Sequence, residues 1–533
     1  MSRAAVLLAA AAIVGPPLAA QAPTATSGDS TTPGDSARIV RAVLIEREGV
    51  FDRTEETSWW ARAGNALHIT TRRRVVEREI LFRGGEPFDS ARVAETARNL
   101  RALGVFRRVL IDSMRTDSGL VLRVTTKDGW SIRPTIDFAN VGSQTAWALG
   151  LEELNLLGNA AFGSLTYSNH PDRTSLTAVF RQPRLFAGKV YLQIGVQDRS
   201  DGRSLSFGMG QPFLSLASRS GASAAAVDFD GDVLRFFEGE RSASVVLRRR
   251  YALLRADAAR AVLASSRGFV RVGVLGQLRR DDFVDRDVID SVPFPRTLTG
   301  AIGPYVWLNR ASFTVVRNFR SFLREEDIDL SEGLLLGAYL APSAFGYDRD
   351  GLGLQASALA GTRLPGGFAT VRAQATGLVS GEGLDSGSVR LTGTWLVQPA
   401  RRHSLTVFAQ GGWQENAVPG EEFDLGLGRG PRAFYAHAFT GDRMINLTAE
   451  YRFTAVEDLW NVIGVGLAGF VDHGGAWYSG SRRRTGTDAG IGIRLGPSRT
   501  AEGGSLSLDL ARRFATDVQG AGWALVVSRV TRF

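Results

Sequence analysis

The chain has no cysteine, only two lysines (Lys127 and Lys189), four methionines and five histidines among its 533 residues. Without cysteine there are no disulfides, thiolate metal sites or thiol nucleophiles. The histidines (His68, His170, His403, His437 and His473) show no HxxxH or HExxH spacing, so the sequence carries no metal motif and no cofactor is expected. A net charge of +9 carried almost wholly by arginine is unlike the lysine-rich footprint of a nucleic-acid tail, and no nucleic-acid partner is expected. No Gly-x-Ser-x-Gly elbow or phosphate-binding glycine loop occurs, and the chain does not read as an enzyme. Long apolar runs are missing too: no stretch after the N-terminus reaches the roughly 18 residues of a transmembrane helix.

What is present is 44% hydrophobic and 22% charged residues, which excludes a disordered polymer, and 61 glycines, which favour strands and turns. Arg3, the apolar stretch Ala4 to Val14 and the helix-breaking Pro16-Pro17 read as a secretory signal spanning 1–20, cleaved after Ala20. Residues 21–36, rich in Thr, Ser, Gly, Asp and Pro, read as a flexible linker. An exported chain without a spanning helix still crosses a membrane if it closes its backbone hydrogen bonds as a barrel.

A small α+β module is predicted over 37–128. Ile39 to Ile45 reads as a strand, followed by a polar insertion holding Trp59 and Trp60 and a helix from Thr71 to Phe82. In the next helix, capped by Asp89 or Ser90, Val93, Ala97, Leu100 and Leu103 form one apolar face, and Gly104 supplies the left-handed stop. Strands Phe106 to Asp112 and Leu120 to Thr125 complete the order β-α-α-β-β. With the phrase GEPFDSARVAETARNLRALGVFRRVLID, this order resembles the polypeptide-transport-associated (POTRA) domain of outer-membrane assembly proteins. The resemblance implies a periplasmic domain that receives unfolded chains along an exposed sheet edge, where unpaired N–H and C=O groups bind any extended peptide.

From 129 to 533 the pattern has period two. Val190, Leu192, Ile194 and Val196 alternate with polar residues, and the same alternation returns at Val272 and Val274, at Leu467 and Val471, and at Leu506, Leu508 and Leu510. Periodicity alone does not separate a soluble sandwich from a membrane barrel. The secretory signal and the C-terminal aromatic Phe533, which resembles the recognition signal of outer-membrane barrels, favour the barrel. About 400 residues at roughly 25 per strand and connection predict about 16 antiparallel strands. The expected fold is therefore mainly β: a transmembrane barrel with one N-terminal POTRA-like domain.

Three blocks sharpen this. GLEELNLLGNAAFGSL and FRQPRLFAG, with Asn155, Leu156, Leu157, Gly158 and Pro183, resemble the opening strands of BamA/TamA-type insertase barrels. GLGRGPRAFYAHAFTGDRMINLTAEYRF resembles the inward-folded loop of that superfamily, its tip here being Arg432, Ala433, Phe434 and Tyr435. FVDHGGAW resembles the superfamily's Phe-x-Asp-x-Gly strand end. An arginine inside a lumen is costly to desolvate unless carboxylates meet it, and alternation turns Asp472 inward with Phe470 and Ala468, so Asp472 and Glu450 are the predicted partners of Arg432. Ala433 stands where the superfamily has glycine, which puts the backbone angle of the tip in question. Asp472-His473 and His403-Ser404 are adjacent on strands, point to opposite faces and cannot share a catalytic site.

The resemblance implies an outer-membrane assembly factor that captures unfolded outer-membrane or secreted clients and inserts them into the lipid, with accessory lipoproteins among its potential partners. The alternative is a secretion pore exporting a dedicated partner protein. A passive porin needs no receiving domain and is disfavoured.

Overall fold

The computed structural model describes residues 39–51, 62, 65, 66, 68–116, 119–188, 190–237, 240–283, 298–322, 324–460, 462–500 and 504–530. The expected signal and linker, Trp59, Trp60 and Phe533 lie outside these residues.

Among the described residues, the N-terminal module holds a three-stranded sheet with the helices α1 and α2, in the order β1 (Val40–Glu48), α1 (Arg73–Glu79), α2 (Ser90–Ala102), β2 (Phe106–Thr116) and β3 (Gly119–Asp128). Strand β3 is central, parallel to β1 and antiparallel to β2, which leaves β1 and β2 as the sheet edges. Helix α1 is shorter than its apolar pattern predicts. Asp128 Oδ2 accepts bonds from the Thr71 N–H and hydroxyl, which hold Thr71 outside the helix, and Ile80 is already extended. The Asp89 carboxylate accepts from the Ala91 and Arg92 N–H groups, capping α2, and Gly104 takes φ +71° just beyond its end. Val76, Leu100, Leu122 and Val124 are fully buried in the module's core.

Helix α2 also buries a second, polar face that its heptad-like spacing does not announce. Glu95 accepts from the Leu216 N–H at 2.6 Å, and Asn99 donates to the Leu214 carbonyl. Arg101 forks onto Asp327 at 2.7 and 3.0 Å, and Arg98 lies over the Phe313 ring. All four contacts reach connections of the domain that follows.

That domain is a closed antiparallel barrel of 20 strands, running from Ile132–Val141 to Gly522–Val530. The sequence estimate of about 16 was low because many connections are two-residue turns, as at Arg199/Gly202, Ser265/Gly268, Leu364/Gly367, Ser380/Gly383 and Ala400/His403. The strand faces settle what periodicity left open. Leu149, Leu151, Val272, Val274, Leu352, Leu354, Leu467, Val471, Ile491 and Ile493 project outward and exposed, whereas Arg249, Arg271, Asp281, Asp472, Asp488, Arg494 and Asp509 are buried inside. A greasy exterior around a charged interior is the arrangement that lipid stabilises and water does not.

One closing ladder is short. Among the described residues, strand Gly522–Val530 meets strand Ile132–Val141 through four residue pairs, Ala524–Val141 to Val527–Phe138. Beyond them the two strands are joined by side chains: the Arg529 N–H donates to Asp137, and the Arg529 guanidinium and Arg133 both bond Glu152. These bonds give charged partners to Arg529, which shares its strand face with the exposed Trp523 and Leu525.

Candidate functional site

The barrel interior is occupied from both ends. At the rim facing the N-terminal module, Phe313–Arg317 and Glu325–Asp329 form a hairpin whose Val316, Phe319, Ile328 and Leu330 pack against Phe368 and Leu396 of the wall. From the far rim, the segment between strands His403–Glu415 and Arg443–Leu459 folds inward. It is held as a hairpin of its own by pairing of Phe423–Leu425 with Phe439–Gly441.

The loop tip inserts Arg432, 1% exposed, between three strands. Its Nε and Nη2 fork onto Asp472 at 2.6 and 3.2 Å, its Nη1 bonds Asp509 at 2.8 Å, and its guanidinium stacks 3.5 Å above the Phe470 ring. Glu450, the other carboxylate expected to meet it, stands 3.8 Å away. Its oxygens are taken by Arg494, which forks onto both, and by Arg452 Nε, both nearer than Arg432, so Asp509 supplies the second contact instead. Asp472, Arg432, Asp509, Arg494, Glu450 and Arg452 thus form one chain of three anions and three cations, in which each charge touches an opposite one. The chain ends where Arg452 donates to the Phe319 carbonyl of the near-rim hairpin at 2.7 Å.

The wall beneath the tip is built for an occupant. Asp472 and Asp488 are direct cross-strand partners, a like-charge placement that destabilises a bare sheet. The loop relieves it: Arg432 covers Asp472, and the Ala433 N–H donates to Asp488 at 3.0 Å. Ala433 is fully buried and is absent from the residues with positive φ, so the tip takes no backbone angle that excludes alanine. Arg513 donates to the Ala433 carbonyl. Phe434 fills a fully buried site against Phe423, Phe439, Met444 and Ala476. It passes so near Gly486 that a Cβ there would fall 2.2 Å from the ring. Ala433, Ala436, Leu427 and Tyr435 pack on Ala139, Val141, Ala524 and Val526, the inner surface of the short seam. Backbone N–H groups of Tyr435 and Ala436 donate to Gln519 and Gln144, one on each side of that seam.

Two further contacts hold the loop nearer the far rim. Glu421 meets Arg249, itself forked onto Asp281, and Glu422 meets Arg235. Against the effect of burial, Arg249 and Arg279 hold the Glu421 carboxyl below the usual carboxylate range. His437, at φ +60°, lies between Asp424 at 2.9 Å and Asp172 at 2.7 Å. Against the burial of the ring, these two carboxylates raise it to about 9.

The opening-strand residues lie elsewhere, at the junction with the module. Asn155 donates to the Ile69 carbonyl and the Thr71 hydroxyl and accepts from the Ala160 N–H. Leu156 ends its strand, and Leu157 and Gly158 turn through φ +53° and +73°. The Gly158 carbonyl accepts from the Arg72 N–H at 2.9 Å. Pro183 sits where the Arg173–Leu185 strand loses register with its neighbour, beside Arg184, which pairs with Glu79 of α1. Sequence reasoning missed Asp509, Asp488 and Arg494, although each carries the signal that found Asp472: a charge in the polar phase of a period-two strand.

No family model and no curated protein matches the chain. Among solved structures it is similar to BamA from Haemophilus ducreyi lacking POTRA domains 1–3, at 12% identity and TM-score 0.40 over 92% of this chain and 84% of that one. It is similar to CdiB from Acinetobacter baumannii at 12% identity and TM-score 0.46, over 93% and 74%. It is also similar to CdiB from Escherichia coli at 12% identity and TM-score 0.45, over 96% and 94% of the two chains. BamA, named by the resemblance of the barrel blocks, is thus one of the solved structures similar to this chain.

Proposed function

We propose that the chain is an outer-membrane assembly factor of the BamA/TamA-like kind, with its N-terminal module in the periplasm as a POTRA-like receiver. The observation that carries this reading is the seam, paired at four positions among the described residues and braced from inside by the loop tip. A strand edge exposed by opening so short a ladder offers N–H and C=O groups to an incoming strand, and the apolar faces of that strand then transfer into lipid. The edges β1 and β2 of the module offer the same kind of pairing upstream. The driving force is burial of apolar strands and completion of backbone hydrogen bonds, so no reaction chemistry is required.

The test uses the absence of native cysteine. Ala524→Cys with Val141→Cys places two thiols on opposed, inward-facing positions of the seam. In a depleted strain complemented with this variant, oxidation is expected to lower many unrelated barrels in the outer membrane, and reduction to restore them. Loss of a single secreted protein with barrels intact would support the export pore instead. Full activity of the oxidised, cross-linked variant would remove the seam from either mechanism.

A further inference from the structure

Five scattered histidines carry no metal motif, yet the fold brings two of them together at the far rim. His170 and Asp172 lie at the turn between strands Ala161–His170 and Arg173–Leu185, and His437 comes from the inward loop. One ligand atom from each of the three lies within 4.8 Å of the other two. His437 Nε2 is 2.7 Å and His170 Nδ1 3.1 Å from the same oxygen, Asp172 Oδ2. The two imidazoles meet edge to face with centroids 6.0 Å apart.

The second ring nitrogen of His437 points to a ligand as well. Nδ1 lies 2.9 Å from Asp424 Oδ2, and Phe236 stacks on the ring at 3.6 Å with planes 8° apart. A carboxylate on one ring nitrogen, with the other nitrogen turned toward a histidine and a carboxylate, is the arrangement by which proteins orient a metal-binding imidazole. His437 holds this pose from a left-handed backbone position that a non-glycine residue rarely adopts. The surrounding charge fits a divalent ion: Asp172 and Asp424 bring two negative charges, and Arg429, 3.1 Å from Asp424, brings one positive. The side chains of His170, Asp172, His437 and Asp424 are 23%, 8%, 14% and 22% exposed, so the position is largely screened from water without being sealed.

We propose that His170, Asp172 and His437 bind a divalent transition-metal ion of the zinc class, with Asp424 as the carboxylate behind His437, and that the ion fastens the inward loop to the barrel wall. Two imidazoles and a carboxylate suit Zn2+, Co2+, Ni2+ or Cu2+ and disfavour Mg2+ or Ca2+. Three protein ligands leave a position for water. On binding, His437 surrenders the proton it shares with Asp172 to solvent and coordinates through Nε2. This fastening is separate from the Arg432 contacts and adds a constraint that depends on metal supply.

The experiment titrates Co2+ into the full-length chain in detergent, without a polyhistidine tag, and follows visible absorption, then displaces the ion with Zn2+. One saturable site is expected, weakened more than about tenfold by His170→Ala or His437→Ala and about tenfold by Asp424→Asn. His403→Ala, whose imidazole contacts Tyr451 on the outer face, is expected to leave binding unchanged. His170 belongs to the wall, so its variant tests the site even if His437→Ala releases the loop, and heat-modifiable gel mobility verifies that each variant is folded. Absence of saturable binding up to millimolar Co2+, or equal affinity in the His170→Ala/His437→Ala double variant, would overturn the proposal.

Discussion

Arg432→Ala removes the cation that ties the loop to two strands of the wall, through Asp472 and Asp509. The change leaves Asp472 buried, unpaired and directly opposite Asp488, and deprives Asp509 of one of its two guanidinium partners. Removing one member of a buried ion pair costs on the order of 3–5 kcal/mol, because the remaining charge is stranded. At 1.4 kcal/mol per tenfold, the ratio of docked to undocked loop falls by roughly 10² to 10³·⁵. The barrel ladders do not involve this side chain, so the cost falls on loop docking and not on closure of the sheet. Ala438, 3% exposed within the Phe434 cluster, reports on it. An Ala438→Cys thiol, the sole cysteine in the chain, is protected while the loop is docked and reacts with a maleimide when it leaves. Arg432→Ala is expected to speed labelling by about two orders of magnitude or more, and Arg432→Lys by less, since the point charge survives while the fork is lost. Asp472→Asn should reproduce part of the effect, and adding it to Arg432→Ala should cost little more. A labelling rate within about twofold of the parent would refute the view that this ion pair pins the loop.

Gly486→Ala places a methyl group 2.2 Å from the Phe434 ring and should weaken loop docking by about 1–3 kcal/mol, seen as faster labelling of the same thiol with folded mobility unchanged. Arg529→Ala removes the bridge from the last described strand to Glu152 and should raise hydrogen exchange selectively in the 132–141 and 522–530 strands. Exchange spread evenly over the barrel would count against a weak seam. Burial raises the Glu95 carboxyl above its usual value of 4.5, so docking of α2 on the barrel is favoured below 4.5 and weakens as pH rises through the raised value. Tryptic release of the module should accelerate over that window, and Glu95→Gln, which keeps an acceptor for the Leu216 N–H, should flatten the profile. Arg101→Asp should loosen the module, and adding Asp327→Arg should restore its protection, because the pair forks across the junction.

The period-two pattern made much of the wall legible because inward charges such as Arg271, Arg494 and Asp509 stand between two greasy neighbours, and the same phase turns Asp472 inward, where it meets Arg432. It could not say how many strands close the circle, since turn length decides that number and glycine-rich segments blur where strands end. Pairings across the lumen were harder still. Glu450 and Asp509 are equally inward in the pattern, and only the position of Arg494 between strands decides which of them Arg432 reaches. The polar face of α2 was illegible for a related reason: Glu95, Asn99 and Arg101 read as solvated until the barrel rim lies against them. His170 and His437 share no local motif because topology alone brings a wall turn and the inward loop together.

Barrels of 16 to 18 strands leave an aqueous channel, so a 20-strand circle needs contents if it is not to leak. Apolar filling would be the simplest stabiliser, since well-packed hydrophobic residues often match or exceed a buried ion pair in stability. The chain instead fills the centre with an alternating series of charges that balances only when the loop is in place. Such a series contributes little net stability, but it is steeply selective for one geometry, because any other loop position strands several charges together. It also links the contents. The loop tip meets Asp509, Asp509 meets Arg494, Glu450 joins Arg494 to Arg452, and Arg452 holds the hairpin whose Asp327 grips α2. If a client bound to the module draws α2 from the rim, the first partner disturbed is therefore the hairpin and the next is the charge series under the loop. Arg101→Asp should then speed labelling at Ala438→Cys although it lies on the opposite side of the series, and adding Asp327→Arg should reverse that increase. Unchanged labelling would show that the two ends of the lumen are filled independently.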